Sequence, residues 1–163
     1  MDTNTLPLLR PVQPSEAGAL YDMLLALGES DGVKEVRTTL ASLQAHLFGD
    51  APAAVPHWIM AGGDIAGFTI HSWKWGPFTG TRDLYMQALY IRSRFRRQGL
   101  AGRAMAALAR IAVAGGGTRM EWFTVRDKTM ARGFYDALGA QEASHMAIRR
   151  LQGEALARLA EKR

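Results

Sequence analysis

The chain has 163 residues, 48% hydrophobic and 21% charged, a balance typical of one globular domain. It has 0 cysteines, which excludes disulfides, thiolate metal ligands and a cysteine nucleophile. Its formal net charge of +5 favours an anionic partner. No apolar run approaches the roughly 20 residues that cross a bilayer, and the first ten residues lack a signal-peptide pattern. We therefore expect a cytoplasmic protein without a membrane partner.

The first half of the chain alternates between helical and extended patterns. Leucines recur at helical spacing after Ser15, a candidate N-cap, and Gly28 is a candidate stop. Trp73–Gly80 contains Gly76 and Pro77, which predicts a loop rather than the interior of a strand. The predicted elements are a strand over 6–10, a helix from Ser15 to Gly28, a helix from about Thr39 to Gly49, and strands over 57–61 and 65–71.

In the second half, strands and helices also follow one another. Residues 83–91 are predicted to form a strand with Leu84, Met86, Ala88 and Tyr90 on one face and Tyr85, Gln87, Leu89 and Ile91 on the other. The other predicted elements are a helix over 100–114, a strand over 120–125, a helix over 128–138, a last strand over 144–151 and a helical tail over 151–163. This order predicts an α/β or α+β domain with a mixed sheet and helices on its faces.

A candidate phosphate site lies between the strand over 83–91 and the helix over 100–114. The segment reads Arg96-Arg97-Gln98-Gly99-Leu100-Ala101-Gly102. The first N–H groups of a helix have no partner within it, and the helix dipole favours an anion there. Much of the excess positive charge is close to this turn, at Arg92, Arg94, Arg96, Arg97 and Arg103. The turn therefore predicts binding of a phosphorylated ligand.

The segment from Leu84 to Ala140, which includes this turn, resembles the GNAT superfamily of acyl-CoA-dependent N-acetyltransferases. Arg96-Arg97-Gln98-Gly99-Leu100-Ala101 is similar to the family's central signature, and Phe134-Tyr135-Asp136-Ala137-Leu138-Gly139-Ala140 to its second. The pattern around the second signature is closest to the diamine (spermidine/spermine and thialysine) branch. The resemblance implies a single domain over 1–163, with a mostly antiparallel mixed sheet of six to seven strands and helices on both faces.

The resemblance also implies acetyl-CoA as co-substrate and a set of residues that hold it. The pyrophosphate is expected on the backbone N–H groups of the turn, and the pantetheine arm beside the preceding strand, like an added strand. Lys128 stands where the family often has asparagine; it could reach cofactor oxygens or be a solvated charge at a helix start. The implied cofactor residues are Leu89, Tyr90, Ile91, Arg96, Arg97, Gln98, Gly99, Leu100, Ala101, Gly102 and Lys128.

For catalysis, the resemblance implies that Tyr135 is the general acid that protonates the departing thiolate. A backbone N–H near Leu89 or Tyr90 would stabilise the oxyanion. Because the chain has no cysteine, direct transfer to a small-molecule amine is favoured over a covalent intermediate.

The acceptor side departs from the branch pattern. The branch carries an acidic pair where this chain has Gln87 and Ala88, which argues against a polyamine substrate. The carboxylates of Glu29 and Glu121 are candidates on the acceptor side, and each also fits an ordinary surface residue. Water is the other candidate base. These alternatives stay open at the level of sequence.

Two other functions compete with the enzyme. One is an acyl-CoA-binding domain without turnover. The other is nucleic-acid binding through Arg92–Arg97, which has Phe95 among its arginines. The acetyl-CoA site accounts for that cluster, so we expect no nucleic-acid partner. The four histidines lack metal-ligand spacing, and no metal is predicted. The resemblance further implies a homodimer, in which residues 145–151 and the C-terminal tail could be exchanged between the two copies.

Overall fold

The computed structural model describes residues 8–124 and 129–162. The chain forms two compact units, one up to residue 123 and one from residue 124. The first unit contains a five-stranded sheet in the order β1-β2-β3-β4-β5. Strands β1 to β4 are antiparallel neighbours, and β5 pairs parallel to β4. The strands are β1 Leu9–Pro11, β2 Val55–Ala61, β3 Asp64–Trp75, β4 Arg82–Ile91 and β5 Met120–Glu121.

The mixed, mostly antiparallel sheet was predicted correctly, but the strand count of six to seven was too high. Residues 144–151, predicted as a last strand, form a turn and irregular chain. An extended segment becomes a strand only when another strand satisfies its N–H and C=O groups. No described residue pairs with them in this way.

The hairpin between β3 and β4 is longer than its glycine and proline indicated. β3 continues through Trp73, which pairs with Leu84, to Trp75, which pairs with Arg82. The Arg82 guanidinium lies over the Trp73 ring, 4.5 Å from its centroid. The prediction of a loop from Trp73 was therefore wrong, because only the segment after Trp75 contains the chain-breaking residues.

One face of the sheet is covered by two helices, α1 Ala17–Ser30 and α2 Leu40–Phe48. The predicted start of α2 near Thr38 or Thr39 is confirmed, and the Thr39 hydroxyl caps the helix by accepting a hydrogen bond from the Ser42 N–H at 3.1 Å. Burial of their apolar stripes against the sheet is the main stabilising term. The core on this face consists of Leu20, Met23, Leu43, Trp58, Phe68 and Ile70, among others.

Two predicted boundaries of α1 were wrong. A single 3-10 turn, Pro14–Glu16, precedes the helix. At this end of the helix the Glu16 carboxylate, rather than the Ser15 hydroxyl, accepts a backbone hydrogen bond, from the Gln13 N–H at 2.9 Å. Gly28 lies inside the helix and does not end it. A Cβ at Gly28 would lie 2.6 Å from a methyl of Val36, so glycine serves close packing there.

Helix α3, Leu100–Ala114, has the bounds that its periodicity predicted. Its buried residues are Leu100, Ala104, Met105, Ala107, Leu108 and Ala112, whereas Ile111 is only partly buried. The helix ends beside β3: a Cβ at Gly115 would lie 2.5 Å from the Trp73 ring.

The second unit contains α4, Thr129–Ala137, and α5, Glu154–Ala160. Gly139, with φ +81°, follows α4, and the Ala140 N–H donates to the Tyr135 carbonyl at 3.2 Å. This glycine-assisted end matches the predicted stop. The predicted helical tail corresponds to α5, where Arg158 pairs with Glu154 at 3.1 Å.

Candidate active site

A β-bulge in β4 organises the candidate site. Ile70 pairs with Ala88 and His71 pairs with Met86, so Gln87 has no partner residue on β3. An extra residue in one strand reverses the alternation of side chains on either side of it. Leu84 and Met86 therefore lie on the opposite face from Ala88 and Tyr90, and the prediction of one common face was wrong.

Two residues of β3 hold β4 beside the bulge. The buried Thr69 hydroxyl donates to the Ala88 carbonyl at 2.9 Å. A Cβ at Gly67 would lie 2.0 Å from the Tyr90 carbonyl oxygen, so only glycine allows this approach of the two strands. The segment Leu89–Ile91, predicted to bind pantetheine, is thereby fixed at its backbone.

The predicted phosphate turn follows β4 through a short 3-10 turn, Ser93–Phe95. Arg97 and Gly99 both have left-handed backbone conformations, with φ of 61° and 73°. Left-handed residues in a turn direct successive N–H groups toward one side, as in anion-binding nests. The first helical bond runs from the Arg103 N–H to the Gly99 carbonyl at 3.1 Å. The N–H groups of residues 100–102 therefore have no carbonyl partner one turn back within α3.

Among the described residues, no protein atom occupies the space beside the two glycines of the turn. A Cβ at Gly99 or Gly102 would meet no atom within 4 Å. Gly99 is thus required by its φ angle and not by crowding from the protein. Leu100 is buried and anchors the helix start in the core. The backbone of the turn is therefore open to an approaching phosphate group.

The arginines of the turn divide into two groups. Arg96 donates from Nε to the Ile91 carbonyl at 2.9 Å, and Arg92 donates to the Ile65 carbonyl at 3.3 Å. Gln98 similarly donates to the Arg94 carbonyl at 3.2 Å. These three side chains brace the loop. Arg97 and Arg103 are exposed, and their positive charges remain available to an anion at the turn.

On the other side of the bulge, five side chains form what we call the acceptor surface: Ser72, Lys74, Tyr85, Gln87 and Glu121. Gln87 donates to the Ser72 hydroxyl at 3.1 Å. Lys74 forms an ion pair with Glu121, and its ammonium lies 5.8 Å from the centre of the Tyr85 ring. The ring of Tyr85 also meets Phe123 edge-on, at 5.5 Å between centroids.

The electrostatics of this surface weaken the candidacy of Glu121 as a base. The hydrogen bond from Lys74 lowers the pKa of Glu121, and Arg119, at 3.4 Å, lowers it further. Burial and the charge of Glu121 raise the pKa of Tyr85, which keeps its phenol protonated. A carboxylate between two cations accepts a proton poorly. Glu121 is better suited to holding Lys74 than to deprotonating an amine.

The other predicted residues are distributed as follows. Glu29 is exposed in the last turn of α1, and within the described residues no hydrogen bond or ion pair joins its carboxylate to the acceptor surface. Tyr135 is half-buried on α4, with its ring centroid 5.1 Å from that of Phe134. Lys128 lies outside the described residues. The roles of these three residues stay predictions.

Sequence reasoning missed Ser72, Lys74 and Tyr85 as site residues, and Thr69 and Gly67 as their supports. The first three became visible only when the bulge and the longer β3 placed them beside Gln87. Gly67 inside a strand pattern was a usable signal, because such glycines mark a bulge or a close backbone approach.

Metal binding and membrane insertion find no support in the described residues. No group of three or more potential metal ligands occurs among residues 8–124 and 129–162. No helix in these ranges is long and apolar enough to span a membrane. His57 and His71 stack at 5.4 Å, and burial lowers the pKa of His71 to about 4. This pair is neutral at physiological pH and belongs to the packing of the sheet.

Residues 19–140 match the family model described as acetyltransferase (GNAT) family. The chain belongs to this family. It is 30% identical over 129 residues to a thialysine N-epsilon-acetyltransferase of Caenorhabditis elegans, with 78% of each chain covered. It is also 30% identical over 92 residues to the L-ornithine N5-acetyltransferase NATA1 of Arabidopsis thaliana. This alignment covers 56% of this chain and 40% of that relative.

Solved structures agree on the fold. An integron cassette protein from the mobile metagenome of V. cholerae superimposes with a TM-score of 0.78 at 19% identity, covering 94% of this chain and 97% of that chain. The GNAT fold and the similarity to the diamine branch, which the two sequence signatures indicated, are thus confirmed. The protein is a GNAT acyltransferase with N-acetyltransferases among its relatives.

Proposed function

We propose that this GNAT protein transfers an acetyl group from acetyl-CoA directly to a primary amine of a small molecule, with Tyr135 as general acid. The observation that carries the proposal is the turn before α3, where two left-handed residues and unpaired helix N–H groups meet the exposed Arg97 and Arg103. Acetyl-CoA supplies the activated thioester, and its phosphates and amides match the donors available here.

The binding roles follow from the backbone. Residues 97–102 offer N–H groups to the pyrophosphate, and Arg97 and Arg103 add charge. Leu89, Tyr90 and Ile91 offer strand hydrogen bonds to the pantetheine amides. The close approach at Gly67 and the Thr69 hydroxyl keep this part of β4 rigid, which limits the entropic cost of binding.

In the reaction, the neutral amine attacks the thioester carbon, and the carbon–sulfur bond breaks. An N–H of Leu89 or Tyr90 donates to the carbonyl oxygen as its charge grows. The Tyr135 phenol gives its proton to the departing sulfur. Since Glu121 is held between two cations, we assign removal of the amine proton to water. The cytoplasmic location, expected from the sequence pattern, and the homodimer, implied by the resemblance, stay predictions.

The test combines acetyl-CoA binding with turnover. We expect acetyl-CoA to bind in calorimetry and an amine panel to release free thiol. Tyr135→Phe should lower kcat by about 10²- to 10⁴-fold, the usual range for a general acid, without changing the affinity for acetyl-CoA. Tyr21→Phe removes the same hydroxyl from a residue of α1 and should have no effect. Binding without turnover of any amine would instead indicate an acyl-CoA-binding domain, and failure to bind acetyl-CoA would refute the proposal.

A further inference from the structure

We infer that Lys74 determines acceptor specificity by binding a carboxylate of the amine substrate, so that the enzyme selects amines that also carry a carboxylate over polycations. This inference rests on the proposed acetyl transfer and deepens it. No sequence signature singled out Lys74. Its assignment depends on the bulge and on the length of β3.

The first argument is position. Ser72 pairs with Tyr85 across β3 and β4, and Glu121 pairs with Tyr85 across β4 and β5. The acceptor surface is therefore continuous over three neighbouring strands. It begins at Gln87, two residues before the start of the segment predicted to hold the pantetheine arm. If the amine of an acceptor substrate is at the bulge, the remainder of that molecule lies over Tyr85 and Lys74.

The second argument is charge. The surface offers a cation reaching over Tyr85, and its carboxylate, Glu121, is engaged by both Lys74 and Arg119. Asp83, the other nearby carboxylate, is buried and accepts hydrogen bonds from the Thr118 N–H at 3.1 Å and the Thr81 hydroxyl at 3.0 Å. Neither carboxylate is available to a second ammonium group of the substrate. A polyamine would place uncompensated positive charge beside Lys74.

The third argument is donor capacity. An ammonium has three donors, and Glu121 accepts from Lys74 while the Lys74 side chain stays 55% exposed. Lys74 can therefore keep Glu121 and bind a second carboxylate. The Lys74 ammonium lies over Tyr85, which is two residues before Gln87, and two residues of a strand span at most about 7 Å. That spacing suits an amino acid whose acceptor amine is at the end of its side chain.

The experiment compares lysine with lysinamide, which has the same two amines and chain but no carboxylate. Acetylation is followed by thiol release at saturating acetyl-CoA. We expect kcat/KM for lysine to exceed that for lysinamide by about 10- to 100-fold, as charge-assisted hydrogen bonds imply. Lys74→Met, which keeps the length of the side chain, should abolish the difference. Lys34→Met, at an exposed lysine between α1 and α2, should leave it unchanged.

Two outcomes would overturn the inference while the proposed function stands: lysinamide acetylated as well as lysine, or a preference for lysine that survives in Lys74→Met. If no amine is acetylated, the proposed function fails, and the carboxylate site is then decided by calorimetric titration of both amines into the protein with CoA present. Equal binding of the two amines, or equal binding by the wild type and Lys74→Met, would refute the site. Tighter lysine binding that depends on Lys74 would support it.

Discussion

The two halves of β4, separated by the bulge at Gln87, present different kinds of groups to a ligand. From Leu89 onward, and through the turn to α3, the molecule offers mainly backbone N–H and C=O groups, supported by Gly67, Thr69 and Gly99. Before the bulge, it offers side chains: Lys74, Tyr85 and Glu121.

The difference has a physical cause. A backbone site depends on conformations that few residue types can adopt, so it leaves glycines at fixed positions in the sequence. A side-chain site depends on which residues the strand register brings together, and many residue types fit a strand surface. Substitutions in the first half should therefore change stability and cofactor affinity together. Substitutions in the second half should change acceptor choice with little effect on the fold.

The largest effect is expected from Gly67→Ala. The new Cβ would lie 2.0 Å from the Tyr90 carbonyl oxygen, so β3 and β4 must separate. We expect a loss of about 3 kcal/mol or more in the free energy of unfolding, measured by urea denaturation. Gly63→Ala, in the hairpin between β2 and β3 with open space around it, should change stability by about 0.5 kcal/mol or less. Equal stability of the two variants would contradict the role assigned to Gly67.

Gly99→Val should come next. A β-branched residue is strained at a φ of 73°, and the expected cost is about 1–3 kcal/mol of stability. Because the turn must distort to relieve this strain, acetyl-CoA affinity should fall by about tenfold or more in calorimetry. Asn tolerates the left-handed conformation, so Gly99→Asn should retain most of both properties. The phosphate turn would be misplaced if Val and Asn behaved alike.

Thr69→Val should have a smaller effect. It removes the hydroxyl that donates to the Ala88 carbonyl from a fully buried position, at an expected cost of about 1–3 kcal/mol. The KM for acetyl-CoA should rise because Leu89–Ile91 is less firmly held. Thr69→Ser keeps the hydroxyl and should restore the KM. An unchanged KM in Thr69→Val would show that this hydrogen bond beside the bulge does not contribute to cofactor binding.

Glu121→Gln should have the smallest effect on stability, about 1 kcal/mol or less, because its partner Lys74 is largely exposed. The folded-state pKa of Glu121 is lowered from its ordinary value of 4.5. The carboxylate therefore stabilises the fold above that value and loses its contribution as the pH falls below it. Unfolding at about pH 7 and about pH 3 should show a difference between wild type and variant that shrinks on acidification. A larger loss at neutral pH would mean that this half of β4 is also structurally critical.

Sequence patterns predicted the elements of the first unit well where periodicity was long and unambiguous. The bounds of α3 were correct because its apolar stripe runs over four turns and Gly115 follows directly. The wrong assignments at Gly28, at Trp73 and over 144–151 share a cause. In each case tertiary contacts outweighed or failed to support a local signal. Gly28 packs against Val36 inside the helix, and Trp73 pairs with Leu84 in the sheet. Residues 144–151 would need a partner strand that the described residues do not supply.

The sequence by itself determined the family of this protein and predicted the turn that we propose binds acetyl-CoA. Glycine positions and helix starts are local properties, so the turn from Arg96 to Gly102 and the pair Phe134-Tyr135 could be recognised in the linear chain. Only the tertiary structure brought together the residues of the proposed acceptor surface. The bulge at Gln87 reverses which residues share a face, and residues from three strands separated by up to 49 positions, from Ser72 to Glu121, become neighbours through that register. Register depends on long-range pairing, which the linear order of residues does not reveal.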